Sequence, residues 1–278
     1  MSSAKPTAWA VLTAAGSGTR LGANLPKALV EVAGEPMLAH ALRGLLSSEA
    51  ITRVVVTAPA AHLDQFAAVA SAACGEAVGT PAQDLPHSRV RVVAGGATRQ
   101  ASVEAGLNEL ARVADVADQA VQKCGADVGA AGENVGPHQI VLVHDAARCL
   151  TPAALIQRVV AAVAAGHPAV VPGLPVTDTI KEVAGGGEVL TVAGTPQRAC
   201  LRAVQTPQGF NWWQLRRAHA AGQDRSNDEA NAASDDAALV EATGEQVAVV
   251  EGDPSALKIT TPLDLYLAEK LAALKARN

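Results

Sequence analysis

The chain has 278 residues, of which 49% are hydrophobic and 18% are charged, and its formal net charge at pH 7 is −5. A chain of this size can bury the core of one large α/β domain, and its negative charge argues against a nucleic-acid partner. Its four cysteines show no CxxC spacing and no apolar run is long enough to span a bilayer, so we expect a cytoplasmic protein without a membrane partner.

Apolar, β-branched runs alternate with helical patterns along the first two thirds of the chain. The runs are apolar throughout, which is typical of buried parallel strands. This alternation predicts an α/β fold with a doubly wound, mostly parallel sheet, in a single domain over residues 1–278. The predicted strands are Trp9–Leu12, Val54–Thr57, Val90–Val93, Ile140–Val143 and Ala169–Val171, and the predicted helices between them are Met37–Leu46, Leu63–Ala73, Ser102–Leu110 and Leu155–Ala164.

One long segment interrupts this alternation before the strand that begins at Ile140. Residues Ala114–Pro137 are rich in Ala, Gly and Asp and have weak periodicity. Loops of this length are uncommon inside compact domains. We interpret the segment as a mobile insertion without a chemical role.

The segment after Pro172 has a different pattern, with two strand-like runs on either side of three glycines, Gly185–Gly187. This arrangement predicts a β-hairpin. Its runs carry several charged side chains and are too polar for a core, so we predict a protruding arm over residues 173–204 that contacts a second subunit in a homodimer. An ordinary surface loop is the alternative. Beyond the arm, helical patterns recur at Trp212–Ala221, Asp236–Thr243 and Leu263–Leu274, and a strand pattern at Gln246–Val250.

The first candidate site is the glycine-rich turn after the first strand, in AAGSGTRLGANLPK. Its glycines allow backbone N–H groups to approach an anion closely, while Arg20 and Lys27 supply positive charge at neutral pH. The turn lacks the Gly-Lys-Ser/Thr of a P-loop, and Leu21 stands where the dinucleotide pattern requires glycine. The pattern favours a phosphate-binding loop that is neither a P-loop nor a dinucleotide-binding turn. The alternative is a glycine turn with two surface cations.

The second candidate site lies at the end of the strand in IVLVHDAAR. Asp145 and Arg148 stand at the carboxyl edge of the predicted sheet, where open α/β sheets bind ligands. Asp145 has the oxygen ligands that Mg²⁺ prefers, and the alternative is a helix-capping carboxylate. His144 should point to the opposite face of the strand, so we assign it a packing role and no catalysis.

Three weaker candidates lie elsewhere in the chain. Gly95 and Gly96, with Ser102 in VAGGATRQASV, could seat a base or simply end a strand. The SDDAAL segment at Ser234 could bind a metal or a hydroxyl group, although a helix cap is the commoner use of this pattern. Lys258, in ALKITTPLDL, would direct a cation to the sheet edge or extend to solvent.

Taken in order, these motifs resemble those of the 2-C-methyl-D-erythritol 4-phosphate cytidylyltransferases of the non-mevalonate isoprenoid pathway. AAGSGTRLG with LPK, VAGGATRQASV, VLVHDAAR, PVTDTIK, TPQ, SDDA and LKITTPLDL follow the family's order and cover nearly the whole chain. The resemblance implies a Rossmann-like nucleotidyltransferase fold and a homodimer. It also implies transfer of CMP from CTP to the phosphorylated polyol, with Mg²⁺ as cofactor and pyrophosphate as the second product.

The resemblance further implies a role for each matching residue. Arg20 and Lys27 match the catalytic cations at the α-phosphate. The residues that match the CTP site are Ala14, Ala15, Gly16, Ser17, Gly18, Gly95, Gly96 and Ser102. Those that match the acceptor site are Asp145, which is also near the metal, Arg148, Ser234 and Lys258, together with Thr179 and Arg198 from the arm of the neighbouring subunit.

Some departures from the family pattern and several alternative functions remain. Cys149, Ser234 and Ala97 stand where the family often has proline, threonine and an acidic residue, but none of these changes removes a charged catalytic group. A ribitol 5-phosphate cytidylyltransferase shares the fold and nearly every phosphate motif. The DAAR, TPQ and LKITTP segments disfavour a hexose-1-phosphate nucleotidyltransferase, and the intact charged residues disfavour a nucleotide-binding protein without catalysis.

Overall fold

The fold is seen in a computed structural model that describes residues 5–16, 21, 25–85, 88–123, 136, 138–225 and 233–275. Strands and helices alternate over most of this length. The strands are β1 (Ala8–Thr13), β2 (Glu31–Val32), β3 (Glu35–Pro36), β4 (Ile51–Ala58), β5 (Val90–Ala94), β6 (Ile140–Asp145), β7 (Ala169–Pro175), β8 (Glu182–Ala184), β9 (Thr191–Gly194), β10 (Arg202–Val204), β11 (Gln208–Asn211) and β12 (Val247–Glu251). The helices are α1 (Met37–Leu46), α2 (Leu63–Cys74), α3 (Arg99–Lys123), α4 (Ala153–Ala164), α5 (Trp212–Ala221), α6 (Asp236–Ala242) and α7 (Pro262–Lys275).

The central sheet contains eight of the described strands. β1 lies between β4 and β6, and β5 extends the sheet beyond β4, all in parallel. On the other side, β11 pairs antiparallel with both β6 and β7, while β10 pairs antiparallel with the end of β7. β12 pairs in parallel with the remaining edge of β7. The predicted mostly parallel α/β sheet is therefore confirmed.

Alternate residues of the central strands face two separate hydrophobic cores. In β1, Ala10 and Leu12 belong to one core and Val11 to the other. Successive side chains of an extended strand point to opposite faces, so a strand buried on both sides must be apolar throughout. α1, α2, α4 and α7 contribute buried residues to the first core, and α3, α5 and α6 contribute to the second.

Local sequence signals explain several helix boundaries. α1 buries the face that carries Leu38 and Leu42, one helical turn apart. α2 ends at Gly75, whose φ of +70° lies in the left-handed region that glycine adopts without strain. α5 begins after Asn211, whose side chain accepts hydrogen bonds from two backbone N–H groups of the first turn. In the part of the chain that is described, no helix has the length and apolar character required to cross a membrane.

The segment that was predicted to be a long insertion is partly helical, so that prediction is wrong for its first ten residues. α3 continues to Lys123 and includes the stretch from Ala114 onwards. Its Ala, Val and Gln residues are compatible with a helix once the preceding turns have formed, because elongation adds one hydrogen bond per residue. Residues 124–135 and Pro137, the rest of the predicted insertion, lie outside the described residues.

The glycine-containing segment after β7 forms a two-stranded antiparallel hairpin from β8 and β9. Gly185 and Gly187 have φ values of +103° and +116°, which require glycine in the connecting turn. Val183, Val189 and Val192 are exposed on the hairpin. That this hairpin is part of a dimerisation arm over residues 173–204 stays a prediction.

Candidate active site

A cleft with a volume of about 520 Å³ opens at the carboxyl edge of the parallel strands. It lies where ligands bind in open α/β sheets. Many of the residues that line it were singled out from the sequence. The lining consists of Thr13, Ala14, Ala15, Gly16, Leu21, Lys27, Ala28, Gly96, Ala97, Thr98, Arg99, Ser102, Asp145, Ala146, Ala147, Lys258 and Thr260.

The strand register brings the separate motifs together at this edge. Thr13, at the end of β1, pairs with Asp145, at the end of β6. Beyond the strand ends, Ala14 N donates a hydrogen bond to Thr57 O at 2.9 Å, and Gly95 N donates one to Ala58 O at 2.8 Å. The segments that follow β1, β5 and β6 therefore meet around one cleft.

The backbone of Lys27 is fixed beside the glycine turn. Lys27 N donates a hydrogen bond to Gly16 O at 3.2 Å, and Lys27 begins a short 3-10 helix whose next two residues, Ala28 and Leu29, are buried. Burial of this segment holds the Lys27 backbone while its side chain lines the cleft. Arg20, Ser17 and Gly18, the other predicted members of this turn, lie outside the described residues.

The second glycine turn is shaped by close packing. A Cβ at Gly95 would lie 2.9 Å from the Ala15 Cβ and 2.8 Å from Ser102 Oγ, so the position has room only for glycine. Ser102 Oγ accepts a hydrogen bond from Gly96 N at 3.1 Å and donates one to Thr98 O at 2.9 Å. Ser102 thereby joins the turn to the first part of α3.

Asp145 is the charged centre of the cleft. Asp145 is 7% exposed, and its carboxylate accepts a hydrogen bond from Thr13 Oγ1 at 3.2 Å. Arg99 Nε lies 3.4 Å from Oδ1, and Lys258 Nζ lies 2.8 Å from Oδ2. Burial alone would raise the pKa of Asp145, but attraction to Arg99 and Lys258 outweighs it and holds the pKa well below its usual value. The side chain does not cap the helical turn that follows it, so the capping alternative is wrong.

Lys258 reaches this carboxylate from a loop that the fold anchors on both sides. The next residue, Ile259, is buried and its N–H donates to Ala147 O at 2.9 Å. The Lys258 side chain is 43% exposed, yet its ammonium group is paired with Asp145 rather than extended into solvent. The cation is therefore placed at the sheet edge, as one of the two sequence interpretations expected.

His144 occupies the opposite face of the β6 end. It is buried, and its Nδ1 lies 2.9 Å from Thr206 Oγ1, which also accepts a hydrogen bond from Asp145 N at 3.0 Å. Burial lowers the pKa of His144 to about 4. The imidazole is thus neutral at physiological pH and packed away from the cleft, as predicted.

Four predicted acceptor residues do not line the cleft of the described chain. Arg148 donates to Ala256 O at 2.8 Å and to Val204 O at 3.1 Å, so its guanidinium group joins the Lys258 loop to β10. Thr179 and Arg198 are exposed on the segment around the hairpin, and Ser234 is exposed before α6. In the same segment, Asp235 caps α6 by accepting from Ala238 N, which favours the capping interpretation. One chain alone therefore brings together only part of the predicted acceptor set.

The family model described as IspD, 2-C-methyl-D-erythritol 4-phosphate cytidylyltransferase, matches residues 8–121 and 126–273. The chain belongs to this family. Proteins named 2-C-methyl-D-erythritol 4-phosphate cytidylyltransferase from Nocardia farcinica and Rhodococcus jostii are each 46% identical to it, over 96% and 98% of this chain and 94% and 97% of their own lengths. A crystal structure of the Thermus thermophilus protein of that name is 34% identical and has a TM-score of 0.63, covering 96% of this chain and 99% of its own.

The family assignment made from the motifs is confirmed, and so is the nucleotidyltransferase-like α/β fold. The matched residues include the two glycine turns, the Asp145 strand end and the Lys258 loop. The roles of the individual side chains of this cytidylyltransferase stay predictions.

Arg99 is a residue of the cytidylyltransferase cleft that was not predicted from the sequence. Arg99 lines the cleft and contacts both Asp145 and Asp236. The structure shows that Arg99 is the first residue of α3, where its positive charge opposes the helix dipole. An arginine in that position needs a compensating anion, and two carboxylates supply it.

In the described lining of the cleft, Asp145 is the carboxylate that could bind a metal ion. Among the described residues, no group of three or more His, Cys, Asp and Glu side chains is arranged to hold a metal. Asp145 lines the cleft, and its oxygens already contact Thr13 and Lys258. A hard carboxylate oxygen in this position fits a magnesium ion that takes its other ligands from phosphate groups and water.

Proposed function

We propose that this cytidylyltransferase transfers CMP from CTP to 2-C-methyl-D-erythritol 4-phosphate in isoprenoid precursor biosynthesis. The products are 4-(cytidine 5'-diphospho)-2-C-methyl-D-erythritol and pyrophosphate. In the reaction, a phosphate oxygen of the acceptor forms a bond to the α-phosphorus of CTP, and the bond from that phosphorus to the pyrophosphate oxygen breaks. The observation that carries the proposal is the match of the family model to nearly the whole chain.

The nucleophile in this reaction needs no general base. The acceptor's phosphate is already anionic at neutral pH, so there is no proton to remove before attack. Two groups that could otherwise act as base or nucleophile are unsuited to it. His144 is buried and neutral, and burial raises the pKa of the Cys149 thiol to about 12. These observations support direct attack by the acceptor's phosphate.

The main requirement of the reaction is positive charge. Two polyanions must meet, and negative charge then grows on the α-phosphoryl oxygens and on the departing pyrophosphate. In the described lining, Lys27, Arg99 and Lys258 supply positive charge, and Arg99 and Lys258 contact the carboxylate of Asp145. We assign Lys27 to the α-phosphate, together with Arg20 on the basis of the family motif.

The two glycine turns form the proposed CTP site. Backbone N–H groups of the first turn approach the triphosphate closely where side chains are absent or small. We assign the second turn, at Gly95 and Gly96, to the base, and Ser102 hydrogen-bonds to this turn. The proposed CTP residues are Ala14, Ala15, Gly16, Ser17, Gly18, Gly95, Gly96 and Ser102.

The proposed acceptor site includes residues of a second subunit. Asp145, Arg148, Ser234 and Lys258 belong to one chain in this proposal, while Thr179 and Arg198 come from the arm of its partner. The exposure of the arm residues and the apolar side chains on the hairpin support a contact with another chain. A homodimer in which each arm completes the neighbouring site accounts for both features.

Mg²⁺ is the proposed cofactor, and Asp145 is the residue that would hold it. When bound, the ion neutralises charge on the phosphate oxygens and helps to orient them. Arg99 and Lys258 keep the Asp145 carboxylate ionised, which is the form that binds a metal. Their positive charges also favour an ion that arrives with the anionic nucleotide over a resident one.

The proposed compartment is the cytoplasm. Of the cysteines in the described chain, Cys74, Cys149 and Cys200 are unpaired. Reduced cysteines are typical of a reducing compartment.

The function is tested by following pyrophosphate release with Mg²⁺, each of the four nucleoside triphosphates and one acceptor at a time. The acceptors are 2-C-methyl-D-erythritol 4-phosphate, ribitol 5-phosphate and a hexose 1-phosphate. We expect release only with CTP and the methylerythritol acceptor. If pyrophosphate is released only with CTP and ribitol 5-phosphate, the acceptor is ribitol 5-phosphate instead of the methylerythritol phosphate. If no pairing releases pyrophosphate, the proposal is overturned.

A further inference from the structure

Arg99 joins the cleft to a buried ion-pair cluster behind it. Arg99 Nε lies 3.4 Å from Asp145 Oδ1, and its Nη1 lies 2.7 Å from Asp236 Oδ2. Asp236 is fully buried, and its other oxygen, Oδ1, lies 2.9 Å from His219 Nε2. The cluster thus connects the start of α3, the start of α6 and the last turn of α5 to the end of β6.

Asp236 explains why Arg99 stays in the wall of the cleft. A guanidinium group beside a triphosphate site can bind phosphate oxygens in a bidentate manner, which would draw it away from Asp145. Leaving Asp236 would strand a buried carboxylate without its cation, which is strongly unfavourable. Burial alone would lower the pKa of Arg99, but Asp236 and Asp145 together raise it above its usual range. Arg99 is therefore a fixed, permanently charged part of the cleft wall.

The hydrogen bonds to Asp145 divide its two oxygens between different partners. Oδ1 faces Thr13 and Arg99, while Oδ2 faces Lys258. Contacts on Oδ1 fix the rotation of the carboxylate, and that rotation determines where Oδ2 holds the Lys258 ammonium group. If Arg99 were removed, the hydroxyl group of Thr13, at the end of β1, would be the remaining described contact of Asp145 Oδ1.

We propose that Arg99, anchored by Asp236, is a positioning residue that orients the Asp145 carboxylate and, through it, the Lys258 ammonium group toward the acceptor. This inference rests on the proposed function, since it deepens the account of the acceptor site. Asp236 and His219 act at a distance from the cleft and touch neither substrate. Their effect on the reaction passes through Arg99.

The test compares Asp236→Asn with Arg99→Lys. Asp236→Asn keeps the size of the side chain and removes the charge that anchors Arg99. Arg99→Lys keeps the positive charge, but the lysine ammonium group lacks the planar guanidinium fork that contacts two carboxylates at once. Each variant is expected to raise the KM for the acceptor by about tenfold, because small displacements of positioned groups have large effects on the groups they orient. The KM for CTP and the dissociation constant of CTP, measured by calorimetry, should not change.

A purely structural role would give a different result. A partly unfolded variant loses active molecules, which lowers the apparent kcat and leaves both KM values unchanged. Glu109→Gln is the matched control, because Glu109 is a half-buried carboxylate on the same helix that pairs with the buried Arg91 and, at 2.9 Å, with Arg112. We expect this control to lower the melting temperature and to leave the KM for the acceptor at the wild-type value.

The outcomes separate this inference from the proposed function. Wild-type protein that is inactive with every nucleotide and acceptor overturns both. Active wild-type protein with unchanged acceptor KM in folded Asp236→Asn and Arg99→Lys overturns the positioning role alone. If Asp236→Asn does not fold, Arg99→Lys carries the same test, and Asp236→Glu, which restores the charge, is expected to recover most of the acceptor affinity.

Discussion

Replacing Lys27 by alanine removes a cation from the cleft while leaving its backbone anchored. Lys27 N donates to Gly16 O at 3.2 Å, and the buried side chains of Ala28 and Leu29 hold the same segment in the core. The change therefore takes one of three described cations from the lining and leaves the glycine turn in position. Losing a preorganised donor of this kind raises the barrier by roughly 3–4 kcal/mol, so we expect kcat to fall about 10²- to 10³-fold.

The assay for Lys27→Ala is pyrophosphate release at saturating CTP and acceptor, with thermal melting to verify the fold. Lys5→Ala is the control, because the Lys5 ammonium group is exposed and pairs with Glu49, away from the cleft. That control should keep wild-type turnover. A folded Lys27→Ala protein that turns over at the wild-type rate would refute the assignment of Lys27 to the transition state.

Lys258, the proposed arm residue Arg198 and the capping carboxylate Asp264 can each be tested by substitution. Lys258→Ala is expected to raise the KM for the acceptor about tenfold or more, because a hydrogen bond to a charged group is lost. Equal increases in the KM values of CTP and of the acceptor would contradict this. Mixed dimers of Arg198→Ala and Lys27→Ala chains should regain activity through one unaltered site, whereas no recovery would place the whole site within a single chain. Asp264→Asn should lower the melting temperature at neutral pH, because the Asp264 carboxylate accepts hydrogen bonds from the backbone and hydroxyl of Thr260. Burial raises the pKa of Asp264, but these hydrogen bonds outweigh it and lower the pKa to about 2. The stabilisation is present above the unfolded pKa of about 4 and is lost as the pH falls toward 2, so the difference between the two proteins should narrow there, and a constant difference in acid would contradict the assignment.

Strands that are buried on both faces could be predicted from the sequence, whereas the antiparallel strand β11 could not. β6 is a continuous apolar run because it contributes to both cores. β11 has the sequence QGFN, and its formation depends on β6 and β7, which flank it and share its backbone hydrogen bonds. A Cβ at Gly209 would lie 2.5 Å from Val159 Cγ1, so the glycine reflects close packing rather than a turn. Local patterns carry no trace of such long-range requirements.

Site residues were predictable where their chemistry differs from their surroundings. Lys258 stands out as a cation in an apolar segment, and Asp145 as a carboxylate at the end of an apolar strand. Arg99 does not stand out, since it lies among polar residues and its partner Asp236 is 137 positions away. A pairing over that distance depends on how α3 and α6 pack on one face of the sheet, which only the fold determines.

Asp145 gives the cleft its order before any substrate binds. Arg99 and Lys258 contact opposite oxygens of the same carboxylate, and without that negative charge two cations so close together would repel each other by a few kcal/mol. The carboxylate holds both cations in place, so little rearrangement is required when phosphate groups arrive. The same carboxylate also weakens the attraction for anions by its own charge. Asp145 therefore lowers the affinity of the cleft for anionic substrates but fixes the positions of Arg99 and Lys258. This is consistent with a reaction that depends on where positive charge is placed.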